Sequence, residues 1–199
     1  MTGQASEETT LEWAINLAVG SITVVTLLYI AMIMYQMQLG RIIIKTELEK
    51  AVDEGKGFSS SKRFTIASGS SVSAVLNNKS GKRIKVVAVE IDTTANLEVD
   101  IYDNVTISAS GNKWIIRNLN LESDYMTSVE VEDGGTYTGG ELVHQTIAHG
   151  GTKNQAVGSL SEVGEGVIIP PNSNILVQLT NKNTQDVKCS IRFVFYEVD

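Results

Sequence analysis

From Trp13 to Gly40 the chain carries no charged residue, with Glu12 closing the run on one side and Arg41 on the other. At about 1.5 Å of rise per residue, an uninterrupted helix of that length exceeds the roughly 30 Å hydrocarbon core of a bilayer. The stretch therefore predicts one long transmembrane helix at residues 13–40. The first twelve residues hold Glu7, Glu8 and Glu12 but no Lys or Arg. A cleavable secretory signal needs a basic start and a shorter apolar core, so this reading gives an anchor.

Trp13 and Tyr35 fall at interface depths expected of aromatic belts. Asn16, Gly20 and Thr23 follow i, i+4, i+7 spacing and share one helix face. Small and hydrogen-bonding residues on one stripe are what helix pairs use inside lipid, although polar residues near helix ends are also simply tolerated. Lys and Arg occur only on the C-terminal flank, at Arg41, Lys45, Lys50 and Lys56. That bias places the N-terminus outside and everything after the helix on the cytoplasmic side. The division expected is a polar tail at 1–12, the membrane helix at 13–40, a helical stalk at 41–57 and a β domain at 58–199.

After residue 57 the period changes from helical to two. Val72–Leu76, then the turn signal Asn77–Gly81, then Arg83–Ile91 read as strand, turn and longer strand. Leu97, Val99 and Ile101 alternate with Glu98, Asp100 and Tyr102. Ile175, Val177 and Leu179 repeat the pattern, as do Val187, Cys189, Ile191, Phe193 and Phe195 against Lys188, Ser190 and Arg192. About eight to ten strands without βαβ alternation predict a mainly β fold, an antiparallel β-sandwich or jelly-roll-like domain behind the N-terminal transmembrane helix.

Nine of the seventeen glycines lie between Asp133 and Gly166. Glu141–Ile147 within that region reads as a strand, and the rest as long loops, the usual carriers of binding surfaces. Gly139, Gly140, His149, Gly150, Gly151 and Glu165 are accordingly the candidate partner-binding residues, and flexible connection is the competing reading.

A net charge of −7 argues against a nucleic-acid partner, which calls for a basic patch. The single cysteine, Cys189, sits in phase with buried positions and reads as a small core residue. Two histidines, His144 and His149, with one mid-strand Cys match neither a blue-copper nor a Rieske ligand set. Glu162 with Glu165 and Asp100 with Asp103 offer at most adventitious Ca²⁺ binding. No phosphate-cradling loop, nucleophile elbow or zincin motif occurs. The expectation is a chain without catalytic residues, cofactor or resident metal.

Val75-Leu76-Asn77-Asn78-Lys79-Ser80-Gly81-Lys82, Val167-Ile168-Ile169-Pro170-Pro171-Asn172-Ser173-Asn174-Ile175 and Asn181-Lys182-Asn183-Thr184, with the Gly-rich middle, resemble the β-sandwich domains of virion proteins of bacterial and archaeal viruses. The resemblance spans about Phe64 to Tyr196 and rests on turn-and-strand idioms. The charge-free N-terminal segment departs from most such proteins and suits a virion that contains a membrane. What the resemblance implies is a non-enzymatic structural protein, anchored in the virion membrane as a single-pass protein. Its partners would be the lipid membrane, other virion or assembly proteins or a host receptor, and further copies of itself in a homo-oligomer. Two alternatives stand beside it: a cellular single-pass protein with a ligand-binding β domain, and a filament subunit whose hydrophobic helices bundle in a protein core.

Overall fold

The computed structural model of the chain describes residue 26, residues 28–29, residues 47–151 and residues 166–198. The chain divides into two units, Met1–Glu47 and Leu48–Asp199. In the first unit, Thr26, Leu28 and Tyr29 are helical and exposed. The predicted packing residues Asn16, Gly20 and Thr23, and the rest of 13–40, lie outside the described residues.

The transmembrane expectation is corrected here. Among the described residues no helix is long and apolar enough to cross a membrane. The helix that leads into the β domain, α1 at residues 47–53, is seven residues long and carries Glu47, Glu49, Lys50 and Asp53. Seven residues reach about 10 Å, a third of a hydrocarbon core. The fold is therefore mainly β, with antiparallel sheets. The single-pass membrane placement, with the β domain assigned to the cytoplasmic side, is withdrawn with the spanning helix that required it.

The second unit opens with residues 48–53 of α1, of which Ala51 is buried. Thirteen strands follow among the described residues: β1 (Gly57–Ile66), β2 (Ser71–Asn78), β3 (Arg83–Thr93), β4 (Leu97–Asp103), β5 (Thr106–Ala109), β6 (Asn112–Lys113), β7 (Ile116–Asn118), β8 (Val129–Asp133), β9 (Thr136–Thr138), β10 (Glu141–Ala148), β11 (Val167–Ile169), β12 (Asn174–Thr180) and β13 (Val187–Val198). One sheet has the order β11-β3-β13-β1-β7 and the other β10-β4-β12-β2-β8-β6, while β5 and β9 form a separate two-stranded sheet. Every pairing is antiparallel.

The orders β1-β13-β3-β11 and β2-β12-β4-β10 are those of an eight-stranded jelly roll, two Greek keys folded on one another. Residues 104–140 are an insertion between its fourth and fifth strands. This insertion lengthens both sheets, adding β7 to one and β8 and β6 to the other.

Alternation along the strands decides what the sheets enclose. Val86, Val89, Ile91, Ile191, Phe193 and Phe195 from one sheet meet Leu76, Leu97, Val99, Ile101, Ile175, Val177 and Leu179 from the other in one core. Lys188 and Arg192, out of phase with these, are exposed. Trp114 closes the core at one side, tilted against both Phe64 and Phe193. A second, smaller cluster of Val75, Val105 and Leu176 with Tyr102, Ile107 and Tyr137 includes residues of the β5–β9 sheet. Since Val75 and Leu176 neighbour core residues in sequence, they occupy the opposite face of their sheet, and the β5–β9 sheet covers them there.

Candidate docking edge

Among the described residues, β10 bonds on one side only, to β4, and β11 on one side only, to β3. Both edges face the same cleft. A cavity of about 220 Å³ is lined by Val143 and His144 of β10, Ile168 of β11, and Asp103, Asn104 and Asn174. Leu142, Val143 and Ile147 of β10 and Ile168 of β11 are each about half exposed, between 47% and 52%. Neither strand contains Lys, Arg or Pro, the residues that commonly blunt a free sheet edge.

One protective device is present. The register passes from Leu142 opposite Tyr102 to His144 opposite Ile101, so Val143 has no partner and forms a bulge. The bulge places Val143 among the residues lining the cleft. The polar frame is held from β4: the Gln145 amide donates to Asp100 at 2.6 Å, and the Glu141 N–H to Asp103 at 3.3 Å. Asp100 and Asp103, one of the two pairs considered for adventitious Ca²⁺, thus have protein partners, and the other pair, Glu162 and Glu165, lies outside the described residues.

The predicted partner-binding residues are not brought together. Gly139 and Gly140 make the β9–β10 turn, whereas His149, Gly150 and Gly151 follow the far end of β10. Eight strand residues separate the two groups, about 26 Å at 3.3 Å each. Gly140 has a φ of +87° and lies so near Val105 that a β-carbon would sit 2.6 Å from it. Gly150 donates its N–H to Asn96 and passes so close to Ala95 that a β-carbon would meet the backbone at 2.1 Å. Both glycines serve chain packing. His149 is exposed, and Glu165 lies outside the described residues. The sequence placed the contact surface in the loops, whereas the exposed apolar row lies on the strand between them.

A second concavity, about 640 Å³, lies on the outer face of the other sheet, lined by Arg63, Thr65, Asp92, Thr94, Lys188 and Ser190 among others. Ser190 hydrogen-bonds Asp92 at 3.2 Å, and alongside it Arg192 pairs Glu90 at 3.1 Å. Cys189 also lines this groove, but it is buried, and burial pushes its thiol up to about 11. Such a thiol is protonated and unreactive at neutral pH.

Sequence reasoning missed an ionic cluster on β8. Asp133 accepts the Trp114 indole N–H at 2.6 Å and also binds Lys62, a lysine that reaches across from β1. Glu130 holds Lys79 at 2.6 Å and Lys113 at 2.5 Å, contacts that lower its carboxyl below the usual value. No spacing rule links these residues, which lie up to 71 positions apart. Among the described residues no three His, Cys, Asp or Glu side chains gather as a metal-binding group.

No family model matches the chain, and no curated protein does. Among solved structures, the Yersinia pseudotuberculosis-derived mitogen aligns with a TM-score of 0.26 and 10% identity, over 68% of this chain and 83% of that one. The VP2 subviral particle of infectious bursal disease virus aligns with a TM-score of 0.12 and 12% identity, over 71% of this chain and 41% of that one. Both likenesses are too weak to carry an argument.

Proposed function

We propose that this chain is a non-enzymatic structural subunit whose β-sandwich docks laterally to neighbouring proteins of an assembly, copies of itself among them. A virion shell or spike is the setting suggested by its turn-and-strand idioms. The observation that carries the reading is the β10–β11 edge, which is open among the described residues. Two strands without a second partner among the described residues present four half-exposed aliphatic side chains there, and two of these, Val143 and Ile168, line the cleft. A free edge offers backbone N–H and C=O groups to another chain, and the aliphatic row adds apolar area that water leaves on contact. The rigid two-sheet core holds both edges in place, so docking needs little reordering.

Ile147→Lys and Ile168→Lys test the reading. Both positions are half exposed, so each variant should fold with an unchanged circular dichroism spectrum. Sedimentation equilibrium of the purified chain, and recovery of the variant chain in assembled particles from the producing cells, measure docking. The expected result is loss of concentration-dependent association and of incorporation. Normal association and incorporation by both variants would overturn the assignment of this edge.

A further inference from the structure

The two sheets run out at the same two ends. β10 and β11 lie at one, while β6 and β7 are the last strands at the other, each bonded on one side only among the described residues. Four or five strand spacings of about 4.8 Å put roughly 20–24 Å between the ends. The large hydrophobic side chains that the second unit exposes, among the described residues, fall into two groups. Leu142, Val143, Ile147 and Ile168 belong to the β10–β11 end. Ile115, between β6 and β7, joins Leu121, Tyr125 and Met126 of the loop that follows β7, and these four are 43% to 92% exposed.

The second group is held in place. The Asn118 amide donates to the Tyr125 carbonyl at 3.1 Å, and the buried Glu197 of β13 accepts the Tyr125 hydroxyl at 2.6 Å and the Thr127 hydroxyl at 2.8 Å. The Tyr125 ring leans on Phe58, with centroids 6.1 Å apart. Beside it lies a hollow of about 300 Å³, lined by Phe58, Ile116, Tyr125 and Met126 among others. Apolar groups fixed at the surface in this way mark a contact site that needs little reordering. The edge strands at the two ends also differ in charge. On β10 and β11 the charged residue is Glu141, whereas β6 and β7 carry Lys113 and Arg117. Lys113 pairs with Glu130, but Arg117 and the Glu141 carboxylate are exposed and have no partner among the described residues. Glu122 and Asp124 add carboxylates on the loop, so the basic character belongs to the strand edge itself.

We propose that the β6–β7 end of one copy of this chain, with the loop after β7, is the mate of the β10–β11 end of the next, so that copies join head to tail. The inference rests on the docking edge proposed above and names its partner, a second copy. The surfaces are complementary in kind: an aliphatic row meets a hollow lined by aromatic and aliphatic side chains, and Glu141 meets an edge carrying the unpaired Arg117. Two different patches at opposite ends make a heterologous contact, which leaves each bound copy with one end open. Growth continues until a ring closes or a filament extends. An isologous contact of two β10–β11 ends would instead bring both Glu141 carboxylates into one interface and stop at a dimer.

Sedimentation equilibrium of the full chain tests this with two variants, each blocked at one end. Ile168→Lys blocks the first end, and Leu121→Lys with Met126→Lys in one chain blocks the other. All three positions are exposed, so both variants should keep the native circular dichroism spectrum. The native chain should grow beyond a dimer as concentration rises, and each variant alone should stay monomeric. Mixed in equal amounts, the variants should form a 1:1 dimer that grows no further, since each supplies the end that the other lacks. If Ile168→Lys is monomeric but the Leu121→Lys/Met126→Lys chain still associates with itself, the head-to-tail proposal is overturned and the docking edge stands. Two monomeric variants whose mixture stays monomeric overturn it as well, as does a native chain that does not associate with itself. Association that persists in Ile168→Lys overturns both this proposal and the docking edge on which it rests.

Discussion

At the scale of single residues, Cys189 shows how burial sets chemistry. Its alternation with Val187 and Ile191 marks it as inward-facing, and the structure buries it against the core. Burial disfavours the thiolate and lifts the thiol from its usual 9 to about 11. The folded chain thus binds this proton more tightly than the unfolded chain does. The resulting stability is fully present below pH 9 and is lost as pH rises through about 11, with a slope of at most about 1.4 kcal/mol per pH unit. Urea midpoints of the native chain and Cys189→Ala, measured from pH 8 to 11, check this: the gap between them should narrow above pH 9. Parallel curves would contradict it. Cys189 was legible in the sequence because one phase relation suffices. The burial of Glu132 was not, because nothing in a strand's own period says that a separate two-stranded sheet will cover its outer face.

Among elements, the long strands were readable and the short ones were not. β3, β12 and β13 run for 11, 7 and 12 residues, enough for the two-residue period to declare itself. β6, β7 and β9 have two or three residues and no period, so the insertion at residues 104–140 escaped notice. The Asn-rich turns were visible as turns, but their work is internal. Asn181 is fully buried; its amide donates to the carbonyls of Ile66 and Gln185 at 2.9 Å each, and its oxygen accepts the Asn183 N–H at 2.9 Å. One side chain thus ties the end of β1 to the β12–β13 connection. Asn78 does likewise, donating to Lys82, Ile169 and Pro170. Asn181→Ala leaves the Ile66 carbonyl buried without its donor and removes two part-buried bonds, and should cost about 2–3 kcal/mol. Denaturant unfolding measures the loss, and a change below about 0.5 kcal/mol, the range of ordinary surface substitutions, would show that the connection repacks freely.

For the whole molecule, composition predicted a membrane span, and the described helices contain none of spanning length. Hydropathy reports what a residue prefers to be transferred into, and the length and partners of the element formed are separate facts. The boundary of the β domain shows the same limit. The turn signal at Gly55-Lys56-Gly57 suggested that the domain starts after it, whereas the compact unit begins at Leu48. α1 belongs to that unit for identifiable reasons. Ala51 is buried, and Val52 packs so closely on Gly57 that a β-carbon there would lie 2.7 Å from its side chain. The inserted segment also caps the end of α1: Asn118 donates to the Gly55 carbonyl at 2.6 Å and Asn120 to that of Asp53 at 3.3 Å. Helix-terminal carbonyls need such donors, and Asn118 also donates to Tyr125, so the cap organises the loop in turn. A chain starting at Leu48 should therefore unfold at higher urea than one starting at Gly57, by about 1–3 kcal/mol. The shorter chain should also show faster amide exchange at residues 118–125. Equal midpoints and equal exchange would mean that α1 is a passive lead-in and that the sandwich stands without it.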